Sequence, residues 1–236
     1  MKNLIIFDID GTLCNTKQVD EECYEAAFEG ATSASISNVD YESFKHMTDQ
    51  SIWEESNEQL GLKDTGVLGA LDNMKETHYA LLKEKKSKQP GRFSEIPGAK
   101  QFFSDLLKRS DEFQPGFATG AWSFSAKFKL NSIGIDPDLF PFSNSSCYKT
   151  RDDIVMDCIN KAKNIVPEND FRRIIYLGDG AWDLQTCKNL GLEFIGIDID
   201  RTGRLKELGA QHVFEHFLNS EAIFSLLEGE EVFTGY

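Results

Sequence analysis

Positive charge is what this sequence lacks most. Its 25 Lys and Arg face 39 Asp and Glu, a formal charge of −14. Nucleic acid and anionic membrane are therefore excluded as expected partners, because both are bound through clustered cations. A small phosphorylated ligand stays open, since one metal ion and a few local cations suffice for it. The five cysteines, at 14, 23, 147, 158 and 187, are odd in number and never form a Cys-x-x-Cys pair. They read as reduced thiols of a cytoplasmic protein, not as a disulfide frame or zinc knuckle. No apolar run approaches the roughly 18 residues of a membrane span. The apolar N-terminal stretch is too short for a secretory signal core and is cut by Asp8. His212 and His216 stand four apart and would share a helix face, but no third ligand lies near them, so a surface pair is the expectation.

What is present is enough to fold: 40% apolar residues and 18 Phe supply a core. Leu4 to Phe7 is purely apolar and reads as a buried strand of a parallel sheet. It runs into Asp8-Ile9-Asp10-Gly11-Thr12. Gly11 lets the chain turn so that both acids lean into the crevice at the strand's carboxyl end, where open α/β sheets bind ligands. Two carboxylates so close repel, and a bound cation relieves them.

From about Asn15 to Gln89 the pattern is helical. The expected helices are Asp20 to Phe28, Gln50 to Leu60 closed by Gly61, and Leu68 to Lys86 with Leu71, Met74, His78, Leu81 and Leu82 on one face. Between Asn15 and Pro90 there are 8 Lys against 15 Asp and Glu, and the first Arg of the chain is Arg92. This insert thus has no guanidinium fork for a second anionic group of a substrate.

Beyond Pro90, strand and helix alternate, as in an α/β fold. A helix follows Pro97-Gly98 to about Lys108, burying Phe102, Phe103, Leu106 and Leu107. Gly116 to Ala118 is a strand leading to Thr119-Gly120. Helix Ser123 to Asn131, a short strand at Leu139 to Phe142 and helix Asp152 to Ala162 come next. Ile174 to Leu177 is an apolar strand ending in Gly178-Asp179-Gly180-Ala181-Trp182-Asp183, followed by a helix to Leu190 stopped by Gly191, then strand Phe194 to Ile197. If the first strand and the one ending at Leu177 are neighbours, Asp8, Asp10, Asp179 and Asp183 converge. Hard oxygen ligands of this kind suit Mg²⁺. Thr119, with the NH groups beyond it, is placed to cradle a phosphoryl oxygen, and Lys149 to balance charge.

Asp8 to Thr12, Thr119-Gly120, Lys149 and Gly178 to Asp183 resemble, in order, the four motifs of the haloacid dehalogenase superfamily. The insert resembles its C1 cap, and the likeness covers essentially the whole chain. Among its members the chain resembles the C1-capped phosphatases, including phosphoglycolate phosphatases, and the β-phosphoglucomutase type. The resemblance implies a three-layer Rossmann-like α/β core around a parallel sheet, from residues 1–14 and 91–236, with a small all-helical cap from residues 15–90.

It also implies roles. Asp8 is the nucleophile that forms an aspartyl-phosphate, and Asp10 the general acid and base. Mg²⁺ is held by Asp8, Asp10, Asp179 and Asp183. Thr119, Gly120 and Lys149 hold the transferring phosphate. Asp10 points to phosphate chemistry, since the superfamily's dehalogenases lack this second acid. The third motif departs from the family's Lys-Pro-x-Pro-Asp: here Lys149-Thr150-Arg151-Asp152-Asp153 has neither proline. The register of Asp153-Ile154 favours Lys149, with Arg151 as the substitute.

Ile197-Asp198-Ile199-Asp200 repeats the Asp-x-Asp spacing but is followed by Arg-Thr-Gly, and reads as a solvated strand exit. Trp122 and Trp182 each follow a motif strand by three residues. Either they line the rim against leaving group and cap, or they pack beneath the loops. The expected activity is Mg²⁺-dependent hydrolysis of a small phosphorylated metabolite, by a monomer or homodimer. Its rivals are a sugar phosphomutase, a phosphonatase needing a reactive cap lysine that does not stand out, and a metal-binding regulatory protein without turnover.

Overall fold

The structure, a computed structural model, describes residues 1–36, 44–62 and 69–229. At its centre is β1 (Asn3–Phe7), buried along its whole length. Its side chains alternate between two cores, as a strand's period of two requires. Ile5 and Phe7 enter a Phe-rich core on one face, while Leu4 and Ile6 enter a second core on the other. Continuous apolar character in Leu4 to Phe7 is what a strand covered on both faces needs.

β1 pairs in parallel with β4 (Phe113–Thr119) on one side and β6 (Arg173–Gly178) on the other. Outside these lie β5 (Phe142–Asn144), β7 (Glu193–Ile197) and β8 (His212–Phe214). The order is β5-β4-β1-β6-β7-β8, every pair parallel. The six-stranded sheet is flanked on both faces by helices, a three-layer Rossmann-like α/β fold. Phe102 and Phe103 of α4 (Ala99–Lys108) and Ile223 and Leu227 of α9 (Ser220–Glu228) cover one face. Ile154, Val155, Cys158 and Ile159 of α6 (Arg151–Lys163), with Cys187 of α7 (Ala181–Leu190), cover the other.

The helical patterning after β1 appears as α1 (Lys17–Thr32), α2 (Asp49–Gln59) and α3 (Ala70–Lys88). Leu68, the expected start of α3, lies outside the described residues. The chain leaves the sheet through β2 (Cys14–Asn15) and returns through β3 (Ser94–Glu95), which pair antiparallel as a two-strand neck. These helices share a core of their own built on Tyr24, Phe28, Trp53 and Met74, into which Trp122 of the sheet-bearing part also packs.

Four expectations are corrected. β4 begins at Phe113, not Gly116, because Pro115 does not break it. Phe117 N donates to Pro141 O on the β5 side, and Pro115 faces the same way at a level where β5 has not begun. A missing N–H therefore costs no ladder bond there. The segment from Leu139 to Phe142 is mostly not strand: a 3₁₀ turn over Pro137–Leu139 precedes β5. Leu107 is exposed, since the inward stripe of α4 runs through Phe102, Phe103 and Leu106. His212 lies in β8 and His216 in the loop beyond, so they share no helix. α5 (Ser123–Ser132) and the short α8 (Arg204–Glu207) complete the elements.

Candidate active site

The carboxyl ends of β1, β4 and β6 open into one cavity of about 390 Å³. Its lining includes Asp8, Asp10, Thr119, Gly120, Arg151 and Asp179. Parallel register explains the convergence: Phe7 is level with Phe117 and Leu177, so the residues after each strand emerge side by side. Asp8 N donates to Leu177 O, carrying the pairing one residue past β1.

Gly11 makes the turn after β1 possible in two ways. Its φ of 77° is in the left-handed region, and a Cβ there would lie 2.2 Å from Asp179 Oδ2. Only hydrogen at this Cα lets the first and last acid motifs touch.

Asp8, Asp179 and Asp183 each present a carboxylate oxygen within 4.8 Å of the others. All three are drawn out of water, and among the described residues Asp8 Oδ1 and Asp179 Oδ1 have no hydrogen-bond partner. Burial pushes Asp179 up to about 7, with the Asp8 charge adding to it. Burial also pushes Asp183 up to about 8, opposed by Arg151 and reinforced by Asp8 and Asp179. Packed carboxylates that resist ionisation, with lone pairs unmatched, are a donor set short of a cation. An oxygen-only set of this kind fits Mg²⁺. Asp183 is fixed at the start of α7, where Gly180 N donates to its Oδ2 at 3.0 Å and Arg151 Nη1 to its Oδ1 at 2.7 Å.

Asp10 lines the same cavity, but its carboxylate is not one of these three. It accepts from Thr16 Oγ1 at 2.6 Å and from Lys129, whose ammonium is completely buried and also lies 2.9 Å from Asp20 Oδ1. Burial raises the Asp10 pKa although Lys129 works against it. Burial disfavours the Lys129 charge, yet Asp10, Asp20 and Asp49 together hold its pKa well above the usual value. The same Asp20 oxygen has His78 Nε2 at 3.3 Å. The set runs from β1 through α5 into α1 and α3, tying the helical insert to Asp10.

Thr119 is buried, and its Oγ1 accepts from Ala121 N at 3.2 Å. The structure does not bring Lys149 into the cluster. Its Nζ pairs with Glu54 of α2, and its side chain is half exposed. The cation of this segment that faces the acids is Arg151, 2.7 Å from Asp183 and 3.6 Å from Asp8, while Lys17 of α1 reaches Asp179 at 3.3 Å. The physical reason is the helix start. Thr150 caps α6, its side chain accepting from Asp153 N, so Arg151 is the first helical residue and turns inward while Lys149 precedes the cap.

The two tryptophans differ. Trp122 is fully buried, stacked on Tyr24 at 5.5 Å and set edge-on to His78. Trp182 lines the cavity, with Lys17 Nζ 5.3 Å and Arg151 Cζ 5.5 Å from its ring. In the second Asp-x-Asp, Asp198 accepts from Thr202 and Gly203 N–H groups and closes its own loop.

Sequence reasoning missed Lys129, Asp20, His78 and Asp49. For Lys129 a signal existed. Ser125, Ala126, Lys129 and Leu130 share the inward face of α5, so a lysine stands where the helical period calls for an apolar residue. Asp49, buried at the start of α2, accepts from Trp122 N at 2.7 Å, while its own N donates to Gly120 O at 2.8 Å. Thr48 Oγ1 donates to Lys149 O, and Arg151 Nε to Met47 O. Residues 47–49 are thus strapped across the cavity's edge.

Residues 5–197 match the family model of haloacid dehalogenase-like hydrolases. Similar solved structures include a β-phosphoglucomutase from Clostridium difficile, 18% identical, TM-score 0.68, covering 97% of this chain and 98% of that one. A hydrolase from Pseudomonas syringae is 18% identical, with TM-score 0.66 and coverage of 96% and 99%. A predicted phosphoglycolate phosphatase from Haemophilus somnus is 14% identical, with TM-score 0.64 and coverage of 94% and 98%. At these identities the likeness speaks for the fold. No curated protein sequence matches the chain.

Proposed function

The chain belongs to the haloacid dehalogenase-like hydrolase family, and from that premise we propose that it is a Mg²⁺-dependent phosphatase of small phosphorylated metabolites. The observation that carries this reading is the partnerless Asp8 oxygen, buried beside two further carboxylates and an arginine at the mouth of one cavity. A carboxylate kept free of hydrogen bonds is a competent nucleophile.

Asp8 attacks phosphorus, and the bond from phosphorus to the leaving alcohol breaks, giving an aspartyl-phosphate. Asp10 in its acid form gives its proton to the departing oxygen, then as carboxylate takes one from the water that attacks the phosphoryl group. Inorganic phosphate leaves and Asp8 is restored. Arg151 offsets charge at Asp8, the role that the sequence assigned to Lys149, while Thr119 and the Gly120 backbone stand where phosphoryl oxygens would be held. Asp8, Asp179, Asp183 and the Asp10 carbonyl would hold Mg²⁺. When bound, the ion supplies the positive charge that lets an anionic carboxylate approach an anionic phosphoryl group. The strap of residues 47–49 lies across the cavity's edge, where its movement would control exchange of substrate and product.

The test is phosphate release from a panel of small phosphomonoesters, with and without Mg²⁺, with Asp8→Asn as blank. Metal-dependent release that vanishes in the blank is expected. Activity surviving in Asp8→Asn removes this residue as nucleophile. An isomerised sugar phosphate without free phosphate would instead mark a phosphomutase.

A further inference from the structure

The cavity has two walls of opposite purpose. On the sheet side, Arg151 and the metal-fitting acids face the phosphoryl group. On the helical side, the wall contains Lys17, Asp20, Glu21, Glu25 and Asp49, with Tyr24 among them. The charges on that side are not equal in availability. Asp20 is matched by Lys129 at 2.9 Å and His78 at 3.3 Å. Lys17 is drawn to Asp179 at 3.3 Å. Asp49 is buried and held by Trp122 N, and burial pushes it up to about 7, so it is largely neutral in mildly acidic solution. What remains is Glu21 and Glu25, one turn apart on α1 and so on one face. Among the described residues neither has a hydrogen bond or ion pair. That this cavity takes a ligand rests on separate ground: Asp8, its side chain 4% exposed, lines it with Oδ1 unpartnered.

We propose that the substrate is the phosphomonoester of a small amino alcohol, its leaving group carrying an ammonium and no second anion. The proposal rests on the phosphatase reading above and adds the charge of the part that departs. A carboxylate or second phosphate on the leaving group would enter beside two glutamates that make no hydrogen bond or ion pair; Lys17 acts on Glu21 but stands beside Asp179, and no arginine occurs between residues 15 and 90 to receive the anion. An ammonium would meet those two carboxylates at the α1 wall. Met47 and Ile52 close the remaining wall with apolar surface, which suits the carbon chain between phosphate and ammonium.

Three probes of similar size separate the cases: 2-aminoethyl phosphate, 2-hydroxyethyl phosphate and carboxymethyl phosphate. Hydrolysis is measured on the full chain with Mg²⁺, and binding by calorimetry on the Asp8→Asn protein. The expected order of both kcat/KM and affinity is cation, neutral, anion. Each step is about tenfold, the scale of one charge interacting across a few ångströms at a partly solvated wall. In a Glu21→Gln/Glu25→Gln double variant, both positions being exposed and tolerant, the ratio of cation to anion should fall by at least about tenfold on the same grounds. Equal or better use of carboxymethyl phosphate, or a ratio unmoved by the double substitution, overturns the proposal. Ordered binding without phosphate release from any probe would uphold the charge preference while refuting the phosphatase reading.

Discussion

Lys129, with none of its side chain exposed, sets its ammonium against Asp10, the acid proposed to serve the leaving oxygen. The same nitrogen reaches Asp20 on α1, so one buried cation orients an acid of the sheet and an acid of the helical insert. Replacing Lys129 by Met leaves two carboxylates out of water without their counter-ion. Removing one partner of a buried pair costs roughly 3–5 kcal/mol, and urea denaturation should show a loss of that order. A loss below about 1 kcal/mol, the worth of an exposed pair, would mean that water already solvates this site. If the variant folds, kcat should fall further on alcohols that leave poorly than on p-nitrophenyl phosphate, which needs little proton donation.

The sheet's inner strands and its acid crevice were legible because their signals are local. Apolar runs end in Asp, and Gly11 permits the turn. Lys129 and Arg151 were harder for a shared reason: the direction of each side chain depends on a helix phase that neighbouring residues determine. Thr150 as the cap of α6 settles which of Lys149 and Arg151 turns inward. The buried Asp49 was illegible because the contact that makes it matter, Trp122 N, lies 73 residues away. β8 escaped notice because three half-buried residues carry little periodic signal, whereas α9 did carry one, Ile223, Leu226 and Leu227 repeating at helical spacing.

Arg151 and Lys149 can be told apart by turnover. Arg151→Ala should reduce kcat by about 10²–10³, the usual effect of losing one preorganised charge donor at a transition state. It should also loosen Asp183, whose Oδ1 loses its 2.7 Å partner. Lys149→Ala removes an ion pair with Glu54 that is half exposed on both sides, and such pairs contribute at most about 1 kcal/mol. Its kcat should stay within a few-fold of the parent. The reverse result would return the role to Lys149.

Asp49 makes stability depend on pH with a definite sign. Burial, then the Asp20 charge, raises its carboxyl in the folded chain to about 7 from 3.8. Between those values the folded chain keeps a proton that the unfolded chain has released. Stability therefore falls as pH rises through this window, by up to about 1.4 kcal/mol per pH unit from this group. Below the window its contribution is level. Asp49→Asn retains an acceptor for Trp122 N but cannot ionise. Relative to the parent it should be more stable at pH 8 and show little advantage near pH 4. A difference between the two proteins that stays flat from pH 4 to 8 would show that Asp49 ionises freely.

Gly11 separates the metal-fitting acids from the rest of the fold as an object of test. A methyl at this position would meet Asp179 Oδ2 at 2.2 Å, on a backbone whose φ of 77° already disfavours an L side chain. Strain at such a φ costs about 1–3 kcal/mol, which a domain of this size can absorb with a lowered Tm. The cluster has less room. Asp179 must swing away from Asp8, and the oxygens that stand within 4.8 Å of each other separate. Gly11→Ala should therefore remain folded by circular dichroism yet bind Mg²⁺ at least about tenfold more weakly by calorimetry, as for a disturbed ligand set. Mg²⁺ affinity equal to that of the parent would mean that Asp179 takes no part in holding the ion, whatever its place beside Asp8.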